Sequence, residues 1–219
     1  MAIAIESDSL IPVDTPFKVS AGPGAGKTHW LSLHINHVIS ESYKLGITRK
    51  IACISYTNVG VETISSRLKN SSSLVDVSTI HSFLYNNVVH PFIHLERNRF
   101  GIDKKELEIL PKEMLLNYSI ASNVLNRINK QFISTDSLLI GLRDCSWRNI
   151  EGVLAYRPRH AVKAKDSKGN QTKYYVPNAA YDEYVAIRWE KGWLFYEDVI
   201  YLAMELLRLH PEILVHDNF

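Results

Sequence analysis

The sequence predicts an α/β protein: a parallel sheet with helices on both faces, joined to a mostly helical inserted region. Three observations carry this prediction. Apolar, β-prone runs alternate with helix-periodic segments over residues 17–89. A Gly-rich loop links the first such run to the first such helix. After His90 and Pro91 the alternation gives way to helical periodicity.

The elements follow in order. Residues 17–20 form a short β-prone run that enters the Gly-rich loop, and a helix is expected over about 27–45. The run 50–56 is continuous and apolar, as a buried parallel strand should be. A helix over about 58–69 places Val61, Ile64, Ser65 and Leu68 on one face. Residues 71–73 read as a loop, 74–78 as a third strand and 80–89 as a third helix. From about 95 to 190 the pattern is mostly helical with one polar interruption. A last helix over 196–209 carries Val199, Leu202, Ala203, Leu206 and Leu207 at helical spacing, with Pro211 beyond it.

Composition bounds the class. At 219 residues the chain suits one generous domain or two small ones. Its 46% hydrophobic and 22% charged residues are those of a globular protein. No apolar run reaches a membrane span, and residues 1–9 lack the basic start and apolar core of a signal peptide. Cys53 and Cys145 are isolated, which indicates neither a disulfide framework nor a zinc site and makes a reducing cytoplasm the expected compartment. A net charge of +2 is too small to argue for nucleic acid by itself.

Chemistry concentrates in Ala21-Gly22-Pro23-Gly24-Ala25-Gly26-Lys27-Thr28, between a β-prone run and a helix. That is the context of a phosphate-binding P-loop. Glycines let the backbone curl so that successive N–H groups face an anion, and the helix N-terminus adds roughly half a positive charge. In this reading residues 21–29, closing on His29, cradle a nucleoside triphosphate such as ATP. Lys27 reaches the β- and γ-phosphates, and the Thr28 hydroxyl holds Mg²⁺.

Ala21 stands where the general pattern opens on Gly. The form Ala-Gly-x-Gly-x-Gly-Lys-Thr resembles motif I of the UvrD/Rep/PcrA group of superfamily 1 DNA helicases. Two further segments resemble that group's next motifs, in order. Residues 54–62, with Tyr56-Thr57-Asn58, look like motif Ia, and residues 77–83, with Thr79-Ile80-His81-Ser82-Phe83, look like motif Ib. More faintly, Tyr181-Asp182-Glu183-Tyr184, the run 193–199, Leu206-Leu207 and Pro211 look like the stretch leading out of the family's inserted subdomain.

The resemblance implies a RecA-like P-loop core, the first part of helicase domain 1A, over residues 1–94. It implies a 1B-like helical insertion over 95–192, and a return helix toward the core over 193–219, the chain ending before motif II. Tyr56, Thr57 and Asn58 would meet single-stranded or partly duplex DNA, with His81 and Phe83 on the next DNA-facing loop. Phosphate contacts plus base stacking on aromatics hold single strands. Such loops gather at the carboxyl edge of a parallel sheet, so ATP and DNA would occupy neighbouring loops. The intact motor would couple ATP hydrolysis to 3′-to-5′ movement and strand separation. Repair, recombination, or an anti-phage system pairing such a helicase with a nuclease would all carry it.

Departures from the family matter as well. Residues 1–26 contain no Gln, which these helicases use to read adenine. No convincing Asp-Glu pair for water activation, arginine finger or second motor domain is legible. The chain alone is therefore expected to hydrolyse ATP poorly, with a missing C-terminal half or a nuclease as partner. The alternative is a non-catalytic, nucleotide-switched DNA-binding or adaptor module, completed by a partner chain. A small P-loop kinase is a third class, against which the DNA-loop segments argue.

Other features are weighed against plainer readings. Arg157, Arg159, His160, Lys163, Lys165, Lys168 and Lys173 cluster with Asp166 alone opposing them in the segment. A turn at 166–170 suggests a hairpin there. Lys163 and Lys165 are DNA-contact candidates, the alternative being a solvated, lysine-protected strand edge. His34 and His37, one helical turn apart, lack further ligands for a metal. Leu194-Phe195-Tyr196-Glu197-Asp198 imitates a strand ending in metal-binding acids, but its apolar period continues helically, so it reads as a helix start.

Overall fold

The computed structural model describes residues 4–45, 49–68, 73–129, 133–160, 163–165, 171–173 and 176–216; at 163–165, 171–173 and 215–216 it describes the backbone alone. The chain is mixed α/β and divides into two compact units, residues 1–83 with 212–219, and residues 84–211.

In the first unit, helix α1 (Lys27–Glu41) follows the Gly-rich loop. Strand β1 (Ile51–Ser55) leads into α2 (Asn58–Arg67), and β2 (Val75–Thr79) into α3 (Ile80–Leu84). The strands pair in parallel from Ile51 opposite Val75 to Ser55 opposite Thr79, so the turns that follow them leave the same carboxyl edge. Ile35 of α1 and Ile64 of α2 pack with Leu68, Cys53 and Val75 in the core of this unit. Alternating strands and helices thus do build a parallel sheet here, but the paired sheet has two strands.

Residues 17–20 correct the expected strand. They form no strand and are unpaired among the described residues: Lys18 and Ser20 face solvent and no ladder partner is found for them. Phe17 instead sets its ring edge-on against Trp30 and His34, at centroid distances of 5.7 and 5.0 Å. The first helix stops at Glu41, where Ser42 turns extended and its hydroxyl donates to Asp14.

The third helix ends its expected span in a wide π turn, Tyr85–Val89, and runs beyond it as His90–Phe92 and Ile93–Leu95. Pro91 has no N–H and needs room against the preceding turn. The wide turn gives it that room, with His90 N donating to the carbonyl of Tyr85.

The second unit is helical in its larger part. Its amphipathic helices α4 (Tyr118–Arg127) and α5 (Thr135–Arg143) start on the caps Asn117 and Ser134, whose side chains accept from Ile120 N and Ser137 N. Helix α4 packs on α5 and on α6 (Asn178–Glu190), while α7 (Tyr196–Leu209), the last helix expected from the sequence, packs on residues 85–89 and on strand 145–150. The surprise is a hairpin of Cys145–Ile150 with Val153–Pro158 inside a region expected to be helical. Its two turn residues, Glu151 and Gly152, both have positive φ (51° and 87°), which suits a tight two-residue connection. Lys163–Lys165 pairs with Gln171–Lys173 as the suggested hairpin; its turn at 166–170 lies outside the described residues.

Candidate nucleotide site and nucleic-acid loops

Gly24 and Gly26 both adopt φ near 76°, a left-handed geometry that glycine reaches without strain. Gly26 is the N-cap of α1 and offers no side chain to the helix's first N–H groups. No acidic residue sits in the first turn, so these donors and the helix dipole remain available to an anion. A Cβ on Gly26 would meet Ser7 Cβ at 3.3 Å, which further disfavours a side chain there.

Lys27 closes the loop. Its Nζ donates to the carbonyls of Ala21, at 2.8 Å, and Gly22, at 2.6 Å. An ammonium has three donors, so one is left for a ligand. Ala21 and Gly22 thus wrap the amine and Pro23 follows them, whereas residues 24–29 line a cavity of about 290 Å³. Thr28 is half-buried in that lining. His29 lies 3.4 Å from Asp8. Curled backbone donors, an ammonium and a hydroxyl on one wall fit a phosphate chain with its cation.

Nothing in the sequence marks the cavity's other wall. Arg67, the last residue of α2, lines it as well. It follows a run of small polar residues at the end of a helix, where a cation is ordinarily only a dipole partner.

The expected DNA-facing residues gather at the carboxyl edge of the β1–β2 pair. Thr57 caps α2 by accepting from Gly60 N at 3.1 Å, and Asn58 opens the helix. Tyr56 is 86% exposed and Val59 72%, so apolar surface stands in solvent beside these polar groups. On the neighbouring turn Thr79 Oγ1 accepts from Ser82 N, and His81 and Phe83 are half-buried. Strand register thus brings together two segments that lie apart in sequence.

The basic cluster is changed by the fold. Arg157 makes a two-pronged pair with Asp182, at 2.6 and 3.0 Å, and His160 lies 3.0 Å from Asp144. Two carboxylates from elsewhere therefore oppose a cluster that seemed balanced by Asp166 alone. The Lys163 and Lys165 side chains lie outside the described residues.

Three other sequence features are structural. Asp198 is wholly buried at the start of α7, accepting from Arg188, Trp147 Nε1 and Phe195 N. It is held far too tightly to act as a metal-binding acid. His34 stacks on Trp30 at 4.9 Å, and burial, aided by the charge of His37, holds its pKa below the ordinary value. Cys53 and Cys145 are buried and unbridged. Burial raises both thiols, Cys145 to about 12.

Comparison with known proteins now has a geometry to rest on. The profile of the UvrD/REP helicase N-terminal domain matches residues 5–217. The chain belongs to that family. It is also similar to the Gabija protein GajB of Bacillus cereus (strain HuB5-5), 38% identical over 69 residues. That similarity covers 30% of this chain and 10% of the relative, so it spans a small part of the longer protein. UvrD/REP helicases in general act on DNA and use ATP with Mg²⁺. Among the described residues no helix is long and apolar enough to cross a membrane.

Proposed function

We propose that this chain binds Mg²⁺-ATP in its P-loop and single-stranded DNA at the carboxyl edge of β1 and β2, as the N-terminal part of a 3′-to-5′ UvrD-like helicase. The observation that carries the reading is the open, acid-free N-terminus of α1 behind a glycine loop that Lys27 closes. Membership of a helicase family supports the DNA half.

Bound Mg²⁺ would neutralise charge developing on the phosphates. Residues 24–26 would present backbone N–H groups to the phosphate chain, and Lys27 would add its free proton donor. Thr28 would hold the cation through its hydroxyl. Tyr56 would offer a stacking face of the kind worth about 1–3 kcal/mol per base, while Thr57, Asn58 and His81 would reach the backbone and Phe83 would back that loop. In this reading residues 1–94 are the P-loop core of the first motor domain, 95–192 the insertion and 193–219 the return, in the cytoplasm. The rest of the motor, or a nuclease, is the proposed partner.

A nucleotide-switched DNA-binding module without turnover is the second reading. One observation favours it: the acidic pair Glu197 and Asp198 serves α7, with Asp198 locked by Arg188. Nucleotide binding and DNA-stimulated hydrolysis, measured together in the wild type and Lys27→Ala, separate the two. Lys27→Ala should weaken ATP binding at least tenfold. Turnover stimulated by single-stranded DNA and abolished by Lys27→Ala would establish catalysis by this chain. Binding without turnover supports an incomplete motor or a switch. A wild type that binds no nucleotide overturns the proposal.

A further inference from the structure

In the second unit a cavity of about 320 Å³ opens between α7 and the hairpin of residues 145–150 and 153–158. We propose that this cavity is a binding site for a single guanine base, with Glu197 and Arg159 contacting the polar edges of the base. Such a site is independent of the P-loop.

The cavity follows from the period of the helix. Glu197, Ile200, Tyr201 and Met204 stand at i, i+3, i+4 and i+7 on α7, so one helix face supplies a strip about 10 Å long. Trp147 and Leu154 of the hairpin line the same space. Trp147 stacks on Tyr201 at 3.8 Å with 7° between the rings, and its Nε1 donates to the buried Asp198. The aromatic wall is thereby held in place by the fold itself. Met204 is 53% exposed beside it, which leaves apolar surface open to solvent.

Two opposite charges line this mostly apolar cavity without meeting. Glu197 and Arg159 are exposed, and among the described residues neither side chain has an ion pair or a hydrogen bond. The neighbouring acids are engaged: Asp198 holds Arg188, and Asp144 holds His160 at 3.0 Å, so Arg159 acts on Asp144 only at longer range. The backbones of both residues are fixed. Arg159 N donates to the Asp144 carbonyl at 3.2 Å, and Glu197 sits in the first turn of α7.

An occupant must offer donors to a carboxylate and acceptors to a guanidinium from one flat, apolar-faced body. Guanine does so. Its N1–H and N2–H groups suit a carboxylate, and O6 with N7 on the adjoining edge match an arginine fork. Adenine would turn its N1 acceptor toward the carboxylate, and pyrimidines have no N7. Unstacked bases are held in this manner elsewhere, against aromatic side chains with their edges hydrogen-bonded. Free guanosine and a guanine within a single strand present the same edges.

The plainer account is a crevice where hairpin and helix meet, its two charges solvated. Equilibrium dialysis of guanosine and adenosine, which carry no phosphate for the P-loop, separates the accounts in the wild type, Glu197→Gln, Arg159→Ala and Lys27→Ala. Guanosine should bind about tenfold more tightly than adenosine, a preference lost in Glu197→Gln and kept in Lys27→Ala. Arg159→Ala should weaken guanosine binding about tenfold. The Glu197 and Arg159 variants should melt like the wild type, because both side chains are exposed. Guanosine bound no better than adenosine overturns the inference and leaves a solvated crevice or a pocket for a partner protein's side chain. A preference unchanged in Glu197→Gln, or lost in Lys27→Ala, overturns it as well. Oligothymidylate with and without one dG then distinguishes the two sources. Tighter binding of the dG strand, abolished by Glu197→Gln, assigns the site to the strand, and equal binding assigns it to the free nucleoside. If neither strand binds, the DNA reading of this chain fails, and the guanosine result alone decides the pocket.

Discussion

His34 shows how one side chain can record its surroundings. It is 6% exposed, stacked on Trp30, touched edge-on by Phe17, and its Nδ1 has no hydrogen-bond partner among the described residues. Burial, then the neighbouring His37, disfavours its charged form. The folded pKa is thus below the unfolded value of about 6.5. As pH falls through that value, the unfolded chain takes up the proton first and stability declines; above it the contribution is constant. Denaturant midpoints at pH 7.5 and pH 5.5 should show this loss in the wild type. His34→Phe keeps an aromatic ring and should flatten the slope. An equal slope in both would mean that other groups set the pH response.

At the scale of elements, the β1–α2 junction is closely packed around Gly60. A Cβ on Gly60 would come within 2.2 Å of Ser55 Oγ and 3.3 Å of Ser55 Cβ, with Thr57 Oγ1 at 3.2 Å. Alanine in a helix is worth up to about 1 kcal/mol over glycine, whereas overpacking of this kind costs about 1–3 kcal/mol. The clash should win, and Gly60→Ala should destabilise by about 1 kcal/mol. Adding Ser55→Ala removes the nearest atom and should recover most of that loss in a denaturant titration. No recovery would place the strain in the backbone. The same junction explains what could be read in advance. Thr57, Asn58 and the small residues behind them form a local cap-and-helix signal, visible in a window of ten residues. The hairpin of Cys145–Ile150 and Val153–Pro158 carried one weak cue, the Glu151-Gly152 turn, in a stretch whose apolar spacing also suits a helix.

At the scale of the molecule, distant segments close networks that no window contains. Within the second unit Asp198 joins Arg188 at 2.5 Å, Trp147 Nε1 at 2.8 Å and Phe195 N at 2.7 Å, with both charges 0% exposed. The Arg188 guanidinium also lies 3.9 Å over the Phe195 ring. Removing one partner of such a pair leaves the other charge buried and uncompensated, a loss of about 3–5 kcal/mol. Asp198→Asn should therefore lower the denaturant midpoint markedly. A variant that melts like the wild type but loses ATP turnover would return Asp198 to the role of a metal-binding acid.

The sequence by itself determined the features whose physics is local: the glycine loop ahead of α1, the caps and amphipathic faces of the helices, and the family those motifs mark. It also showed Asp198 to be a helix-start residue, because helical periodicity continues past it. Tertiary structure decided what depends on partners far along the chain. It left residues 17–20 without a strand neighbour and matched Arg157 and His160 to Asp182 and Asp144. It set the Thr57 and Thr79 turns on one edge and carried Arg67 to the P-loop cavity. A helix or a turn is specified by neighbours a few positions apart, whereas a ladder, an ion pair or a cavity wall exists only when two remote segments meet.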